Sequence, residues 1–128
     1  KLDRLGLAGM RTLGLWGPVV VWCASIYAFS ATPDLSSGLA MDLPLRKVAH
    51  LLEYAVLYLL TRRAVGGTWA PALPHAWLAA GGFSMLYAMG DEYHQTFVRM
   101  RVGCWSDVGI DSCGVLLAWL LDRAMKRS

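Results

Sequence analysis

Four stretches of apolar residues follow one another along the chain, with polar or turn-forming residues between them. The pattern predicts helical spans over residues 13–29, 47–61, 76–95 and 107–121, joined by segments rich in Pro, Gly, Ser and Asp. Residues 55–60 and 115–121 are apolar on every side, whereas a helix of a soluble protein would keep one polar face. The chain is therefore predicted to be an all-α, single-domain, four-helix transmembrane bundle over residues 1–128.

The lengths of the apolar cores add a condition to this prediction. In the second, third and fourth spans the strictly apolar part is only about 13–15 residues, against the ~20 that usually cross a bilayer. The shortfall disappears if the polar ends are also helical and line a cavity enclosed by protein. The first span, at 17 residues, exceeds the roughly 7–15 apolar residues of a signal peptide, which predicts a retained anchor.

Composition agrees with a membrane protein. Hydrophobic residues make up 56% of the chain and charged residues only 16%, where a soluble domain has about 25%. The basic residues form no stripe with interleaved aromatic residues, so no nucleic-acid partner is expected. Three cysteines without C-x-x-C spacing indicate neither a disulfide framework nor a zinc ribbon, although a Cys104–Cys113 pair stays open.

The charge distribution predicts the orientation. Eight of the twelve Lys and Arg residues lie in the N-terminal segment, in the 62–63 connection and at the C-terminus. Because positive residues accumulate on the cytoplasmic side, both termini are expected in the cytoplasm of a multi-pass protein of the cell membrane. Seven of the nine acidic residues then fall on the outer side.

Ionisable residues gather at the predicted outer ends of three spans. Lys47, His50, Glu53 and Tyr54 open the second span and share an arc of about 120° on a helix. The third span ends, and the fourth begins, with further groups of the same kind. The candidate site residues are Lys47, His50, Glu53, Tyr54, Asp91, Glu92, His94, Gln95, Arg101, Asp107 and Asp111. Ionisable groups beside hydrocarbon are costly to bury, so their convergence predicts one functional site.

These residues form three motifs that resemble the VanZ-like family. The motifs are Lys47-Val-Ala-His50-Leu-Leu-Glu53-Tyr54, Asp91-Glu92-Tyr-His94-Gln95-x-Phe97, and Arg101-x3-Trp105-Ser-Asp107-x3-Asp111-x2-Gly114. The resemblance covers nearly the whole chain and implies a small four-helix membrane protein. The family is named for an accessory protein linked to resistance to teicoplanin, a glycopeptide antibiotic. A role in the cell envelope, with a contribution to such resistance, is what the resemblance suggests.

Two functional hypotheses follow from the residue types. An enzyme acting on an envelope lipid would use His50, Glu53, Asp91, Glu92, His94 and Asp111 as catalytic candidates. Lys47, Tyr54, Gln95, Arg101 and Asp107 would bind its substrate, with the two basic residues suited to a phosphate headgroup. Alternatively, the pocket captures a lipid or a glycopeptide-type amphiphile without catalysis. Whether the protein is an enzyme, and in which oligomeric state it exists, stays open.

A divalent metal and purely structural roles also stay open. His50, His94, Glu53 and Asp91 are possible metal ligands, although no H-E-x-x-H motif fixes such a site. Glu92 and His94 are two positions apart and point in different directions on a regular helix. As structural alternatives, His50 pairs with Glu53 and Asp107 is an N-cap, or the polar residues hold the helices together by hydrogen bonds.

Overall fold

The computed structural model describes residues 2–32, 42–69, 75–98 and 104–127, without the side chains of Leu2, Asp42 and Leu43. These residues form four α-helices, α1 (Leu2–Ala31), α2 (Asp42–Trp69), α3 (Ala76–Gln95) and α4 (Trp105–Arg127). The described ranges contain no strand. The prediction of an all-α chain built from four helices is confirmed.

The helices extend beyond three of the predicted spans. Only α3 coincides with its predicted range. The Gly66-Gly67 pair lies in the predicted connection between the second and third spans and is typical of a turn, but both residues lie inside α2, so a turn there is wrong. The reason is the packing of α1 against α2. A Cβ added at Gly67 would lie 2.8 Å from a methyl carbon of Leu15, so this glycine permits a close approach of two helices.

The length of the helices bears on the membrane prediction. At 1.5 Å per residue even α3, with 20 residues, reaches about 30 Å, the thickness of the hydrocarbon core. By length and composition together, one segment of the described chain, Asp3–Ala31, is apolar enough to cross a membrane. The other three helices carry ionisable residues, many of which point into the bundle.

Consecutive helices run antiparallel. Arg63 of α2 donates to the Gly14 carbonyl of α1 (3.1 Å), and Trp22 of α1 donates to the Glu53 carbonyl of α2 (2.9 Å). As the residue number increases along α1, the number of its contact residue in α2 decreases, so the two helices are antiparallel. In the same way Trp77 near the start of α3 packs on Trp119 near the end of α4, with ring centroids 5.9 Å apart. The result is an up-down-up-down bundle.

Helices α2 and α4 run parallel and form the closest interface. A Cβ added at Gly114 would collide with the carbonyl oxygen of Leu51, so only glycine allows this approach. The buried side chains of Tyr54, Leu57 and Tyr58 fill the centre of the bundle from α2. Gly114 lies one turn after Asp111, and the close approach therefore also sets the separation of polar residues at that end of the interface.

Large apolar side chains cover the outside of the bundle. Val20 of α1, Leu52 of α2, Leu86 of α3 and Leu116 of α4 are each more than half exposed, and Leu86 reaches 71%. Several polar side chains, among them those of His50, Glu92 and Asp111, are in contrast buried between the helices. Soluble monomers rarely expose apolar surface of this extent.

Candidate functional site

One end of the bundle collects polar side chains from three helices. It contains the start of α2, the end of α3 and the start of α4. We call this group the polar cluster; its members are His50, Asp91, Glu92, Gln95, Asp107 and Asp111. All of them are buried except Asp107, which is half-buried. Residues that lie far apart in the sequence therefore meet in the interior of the fold.

His50 and Asp111 connect α2 to α4 within the polar cluster. The imidazole Nδ1 lies 3.1 Å from Asp111 Oδ1, and both side chains are buried. A carboxylate accepts only, so Nδ1 carries the proton in the neutral tautomer and Nε2 keeps its lone pair. The second oxygen of Asp111, Oδ2, has no hydrogen-bond partner among the described residues. The sequence also allowed a His50–Glu53 pair, but the Nδ1 contact in the structure is with Asp111.

Glu92 connects the end of α3 to the start of α4. Its Oε2 accepts a hydrogen bond from the backbone N–H of Cys104 (3.0 Å), the residue that precedes α4. Its other oxygen, Oε1, is buried and has no hydrogen-bond partner in the described part of the chain. Glu92 is only 3% exposed, so this unpaired oxygen lies away from bulk solvent.

Asp91 and Gln95 form a local pair one turn apart on α3. Gln95 Nε2 donates to Asp91 Oδ2 (3.1 Å), and both side chains are buried. An i,i+4 contact of this kind stabilises the end of its own helix. Asp91 is therefore engaged within α3.

His50, Glu92 and Asp107 come close enough to share a cation. One ligand atom from each of these residues lies within 4.8 Å of the other two. Among the described residues, these three form the group of His, Cys, Asp or Glu side chains that is close enough to hold one metal ion. Of the metal ligands predicted from the sequence, His50 alone belongs to it.

The other predicted metal ligands have different surroundings. The His94 ring stacks on Tyr27 of α1, with centroids 4.8 Å apart, although its Nδ1 is buried without a hydrogen-bond partner in the described chain. Glu53 is half-buried, and its backbone carbonyl accepts the indole N–H of Trp22. Tyr27 was not among the candidates, because nothing in the sequence indicates that α1 reaches the site.

The remaining candidates divide between the interior and the surface. Tyr54 is fully buried, and its hydroxyl has no hydrogen-bond partner among the described residues. Lys47 is exposed. Arg101 lies outside the described residues.

Two smaller predictions concern the start of α4 and the cysteines. Asp107 is the third residue of α4, so the expected N-cap role is wrong, although its charge still complements the helix dipole in the first turn. Cys23, Cys104 and Cys113 are free, so the open Cys104–Cys113 pair is not formed.

An antiparallel four-helix bundle with an apolar exterior and a buried histidine–carboxylate cluster at one end defines the class of this protein. The model of the VanZ/LLP1 family matches residues 11–126, nearly the whole chain, and the chain belongs to that family. The resemblance drawn from the three motifs is thereby confirmed. Neither the curated proteins nor the solved structures that were compared with the chain gave a match.

Proposed function

We propose that this VanZ/LLP1 family member crosses the cell membrane four times, with both termini in the cytoplasm. The apolar exterior of all four helices supports four spans, because exposed apolar side chains are more stable in contact with lipid chains than with water. The bundle also has a basic end, where Arg11, Arg63 and Arg123 lie, opposite the polar cluster. The positive-inside rule assigns the basic end to the cytoplasm and the polar cluster to the outer boundary.

The proposed function of the polar cluster is to bind the headgroup of an envelope lipid or a similar amphiphile. The observation that carries this proposal is a set of buried polar atoms without partners in the described chain, Tyr54 OH, Glu92 Oε1 and Asp111 Oδ2. Buried hydroxyls elsewhere, such as those of Tyr58, Thr61 and Ser84, also have no partner in the described chain, but the unpaired carboxylate oxygens there belong to the cluster alone. An unpaired buried group costs about 1–3 kcal/mol, and a charged one costs more. Two of these atoms are acceptors only, so the matching headgroup offers O–H or N–H donors.

A groove beside the polar cluster supports a ligand with a hydrocarbon chain. It has a volume of about 440 Å³ and runs between α3 and α4, with Gly81 and Gly82 on one side and Ser112, Leu116 and Trp119 on the other. Ser112, which lines one end of the groove, directly follows Asp111 in α4, so the groove reaches the helical turn that carries this member of the polar cluster. A lipid would thus place its headgroup in the cluster and one chain along the groove.

The main alternative is a structural protein whose polar residues only hold the helices together. The His50–Asp111 contact between α2 and α4 favours it, because interhelical hydrogen bonds in membranes contribute about 1 kcal/mol each. The two functions predict different results for a substitution that leaves the fold intact. Glu92→Gln keeps the shape of the side chain and an oxygen that accepts from Cys104, but it removes the charge of the unpaired carboxylate.

Native mass spectrometry of the purified protein tests headgroup binding. We would compare phosphatidylglycerol, whose headgroup carries O–H donors, with phosphatidylcholine of the same acyl chains, whose headgroup carries none. Loss of a hydrogen bond to a charged group costs about 1.5–3 kcal/mol, so we expect phosphatidylglycerol to bind about tenfold more tightly or better. Glu92→Gln should remove this preference, while Asp122→Asn at the basic end should keep it. Equal binding of both lipids would refute the proposal.

A contribution to glycopeptide resistance is the biological consequence that the family resemblance suggests. It would follow if the amphiphile bound at the outer boundary were the antibiotic or the lipid on which the antibiotic acts. Teicoplanin susceptibility of cells expressing the protein, with Glu92→Gln at equal expression as the control, tests this consequence. Equal susceptibility of the two strains would contradict it.

A further inference from the structure

We infer that His50, Glu92 and Asp107 bind a divalent cation of the zinc or manganese type, and that Asp111 is a positioning residue for His50. The three ligands come from α2, α3 and α4, and their ligand atoms lie within 4.8 Å of one another. This distance is close to the width of the coordination sphere of a divalent ion, whose bonds to nitrogen and oxygen are about 2.0–2.4 Å.

The buried, unpaired oxygen of Glu92 is independent support for a ligand at this position. Glu92 Oε2 is already held by the N–H of Cys104, while Oε1 has no hydrogen-bond partner in the described chain. A carboxylate that is 3% exposed and half-satisfied lacks a donor or a cation. An ion shared with His50 and Asp107 would supply the missing partner of Oε1.

The His50–Asp111 pair has the arrangement of an outer-shell contact in a metal site. The proton on Nδ1 is directed to Asp111, which fixes the ring and leaves Nε2 as the atom with a free lone pair. Metal-bound histidines almost always donate their second ring N–H to a carboxylate, a carbonyl or water. Asp111 therefore orients the histidine and makes it a better ligand, while it stays outside the coordination sphere.

The composition of the ligand set selects the class of ion. An imidazole together with two carboxylates suits zinc, manganese or iron in the divalent state, whereas magnesium and calcium prefer oxygen ligands only. Three protein ligands also leave at least one coordination position open. In the proposed function, this position would accept a hydroxyl oxygen of the headgroup, which phosphatidylglycerol offers and phosphatidylcholine does not.

Metal titration of the full chain in detergent micelles tests the inference. Protein stripped with EDTA would be titrated with Zn²⁺ by calorimetry and with Mn²⁺ by electron paramagnetic resonance, with Mg²⁺ as the comparison ion. We expect one Zn²⁺ or Mn²⁺ per chain, bound about tenfold more tightly than Mg²⁺ or better. Glu92→Gln and Asp107→Asn should each weaken Zn²⁺ binding at least about tenfold, and Asp111→Asn should weaken it about tenfold through the orientation of His50.

Asp122→Asn is the matched control, because Asp122 is a carboxylate of α4 that contacts Arg62 and Lys126 at the opposite end of the bundle. It should change Zn²⁺ affinity by less than about threefold. Circular dichroism and the unfolding temperature without metal establish that each variant is folded, and added Zn²⁺ should raise that temperature in the wild type but much less in Glu92→Gln. Absence of a stoichiometric ion, or an equal loss in Asp122→Asn and Glu92→Gln, would overturn the inference.

This inference concerns the same cluster as the proposed function, but it does not depend on a lipid ligand. Titration with the metal alone and lipid binding by mass spectrometry are separate measurements on the same preparations. Lipid selectivity without a stoichiometric metal would refute the cation site only. Metal binding without lipid selectivity would refute the lipid proposal only.

Discussion

Two aspartates of α4 face α2 at opposite ends of the same interface, and their surroundings differ. Asp111 and Asp122 are eleven residues apart, about three helical turns, and therefore lie on one face. Asp122 meets Arg62 Nε at 3.6 Å and Lys126 Nζ at 2.8 Å, and its side chain is partly exposed. Asp111 is fully buried and meets His50 alone, with Oδ2 unpaired in the described chain.

The difference separates a structural contact from a site. At the Asp122 end, solvent reaches the carboxylate and two cations lie within ion-pair distance of it, although Arg62 Nε has no hydrogen-bond partner in the described chain. At the Asp111 end, the buried carboxylates of Glu92 and Asp111 each keep one oxygen without a hydrogen-bond partner in the described chain, and the hydroxyl of Tyr54 has none there either. Unpaired buried carboxylate oxygens are costly, so we expect a bound ligand to supply their missing partners. Substitutions at the Asp111 end should therefore affect ligand binding, and those at the Asp122 end should not.

The largest effect on stability is expected from Gly114→Ala, because this substitution changes the distance between α2 and α4. The new Cβ would collide with the Leu51 carbonyl oxygen, so α2 and α4 must separate. We expect a loss of about 1–3 kcal/mol in the free energy of unfolding, together with a weaker His50–Asp111 contact. Gly109→Ala is the matched control, since a Cβ there meets nothing within 4 Å. Equal denaturation midpoints in detergent for the two variants would contradict the close approach of α2 and α4.

Replacing each aspartate with alanine compares the two ends directly. Asp111→Ala leaves the Nδ1–H of the buried His50 without its acceptor, for which we expect about 1–3 kcal/mol of destabilisation. Asp122→Ala removes partly exposed pairs and should cost less than about 1 kcal/mol. Chemical denaturation of both variants provides the measurement. The distinction fails if Asp122→Ala is as destabilising as Asp111→Ala.

Two tyrosine hydroxyls provide a finer comparison. Tyr87 OH donates to the Cys23 carbonyl at 2.6 Å, so Tyr87→Phe should lose about 1 kcal/mol of stability. Tyr54 OH is buried without a partner in the described chain, so Tyr54→Phe should be neutral or stabilising and should weaken lipid binding instead. Thermal unfolding and mass spectrometry of both variants measure the two properties. A clear loss of stability in Tyr54→Phe would show that this hydroxyl is satisfied within the fold.

Filling the groove should have the smallest effect on the fold. A Cβ at Gly81 meets nothing within 4 Å, and Gly81 lines the groove between α3 and α4. Gly81→Leu should therefore leave the unfolding temperature unchanged or slightly higher, because leucine favours a helix more than glycine does. Lipid binding should fall severalfold if an acyl chain occupies the groove. Unchanged affinity for phosphatidylglycerol would place the chain elsewhere.

Much of the fold could be predicted from the sequence because apolar patterning and turn residues are local signals. The four helices followed from them, as did the expectation that the ends of α2, α3 and α4 meet, whereas the family followed from the three polar motifs. The partners within the site could not be predicted, because they depend on how each helix is rotated and how closely it packs. The contact between Gly114 and Leu51 fixes the approach of α2 and α4, and it brings His50 to Asp111 across 61 positions of the chain.

Near the ends of α2 and α3, tertiary contacts also override what the local sequence indicates. Gly66 and Gly67 have the local signature of a turn, but packing against Leu15 keeps them helical. His94 lies two positions from Glu92, and its ring stacks on Tyr27 of α1, a contact that no pattern in the sequence indicates. Tertiary packing decides both cases.

The measurement that tests the central claim most directly is lipid binding and unfolding of Glu92→Gln beside Asp122→Asn. If the polar cluster is a binding site, Glu92→Gln keeps an unfolding temperature close to that of the wild type and loses the preference for phosphatidylglycerol. Asp122→Asn would keep that preference. If Glu92→Gln instead unfolds early and the folded fraction binds lipid as the wild type does, the cluster is structural and the account is contradicted.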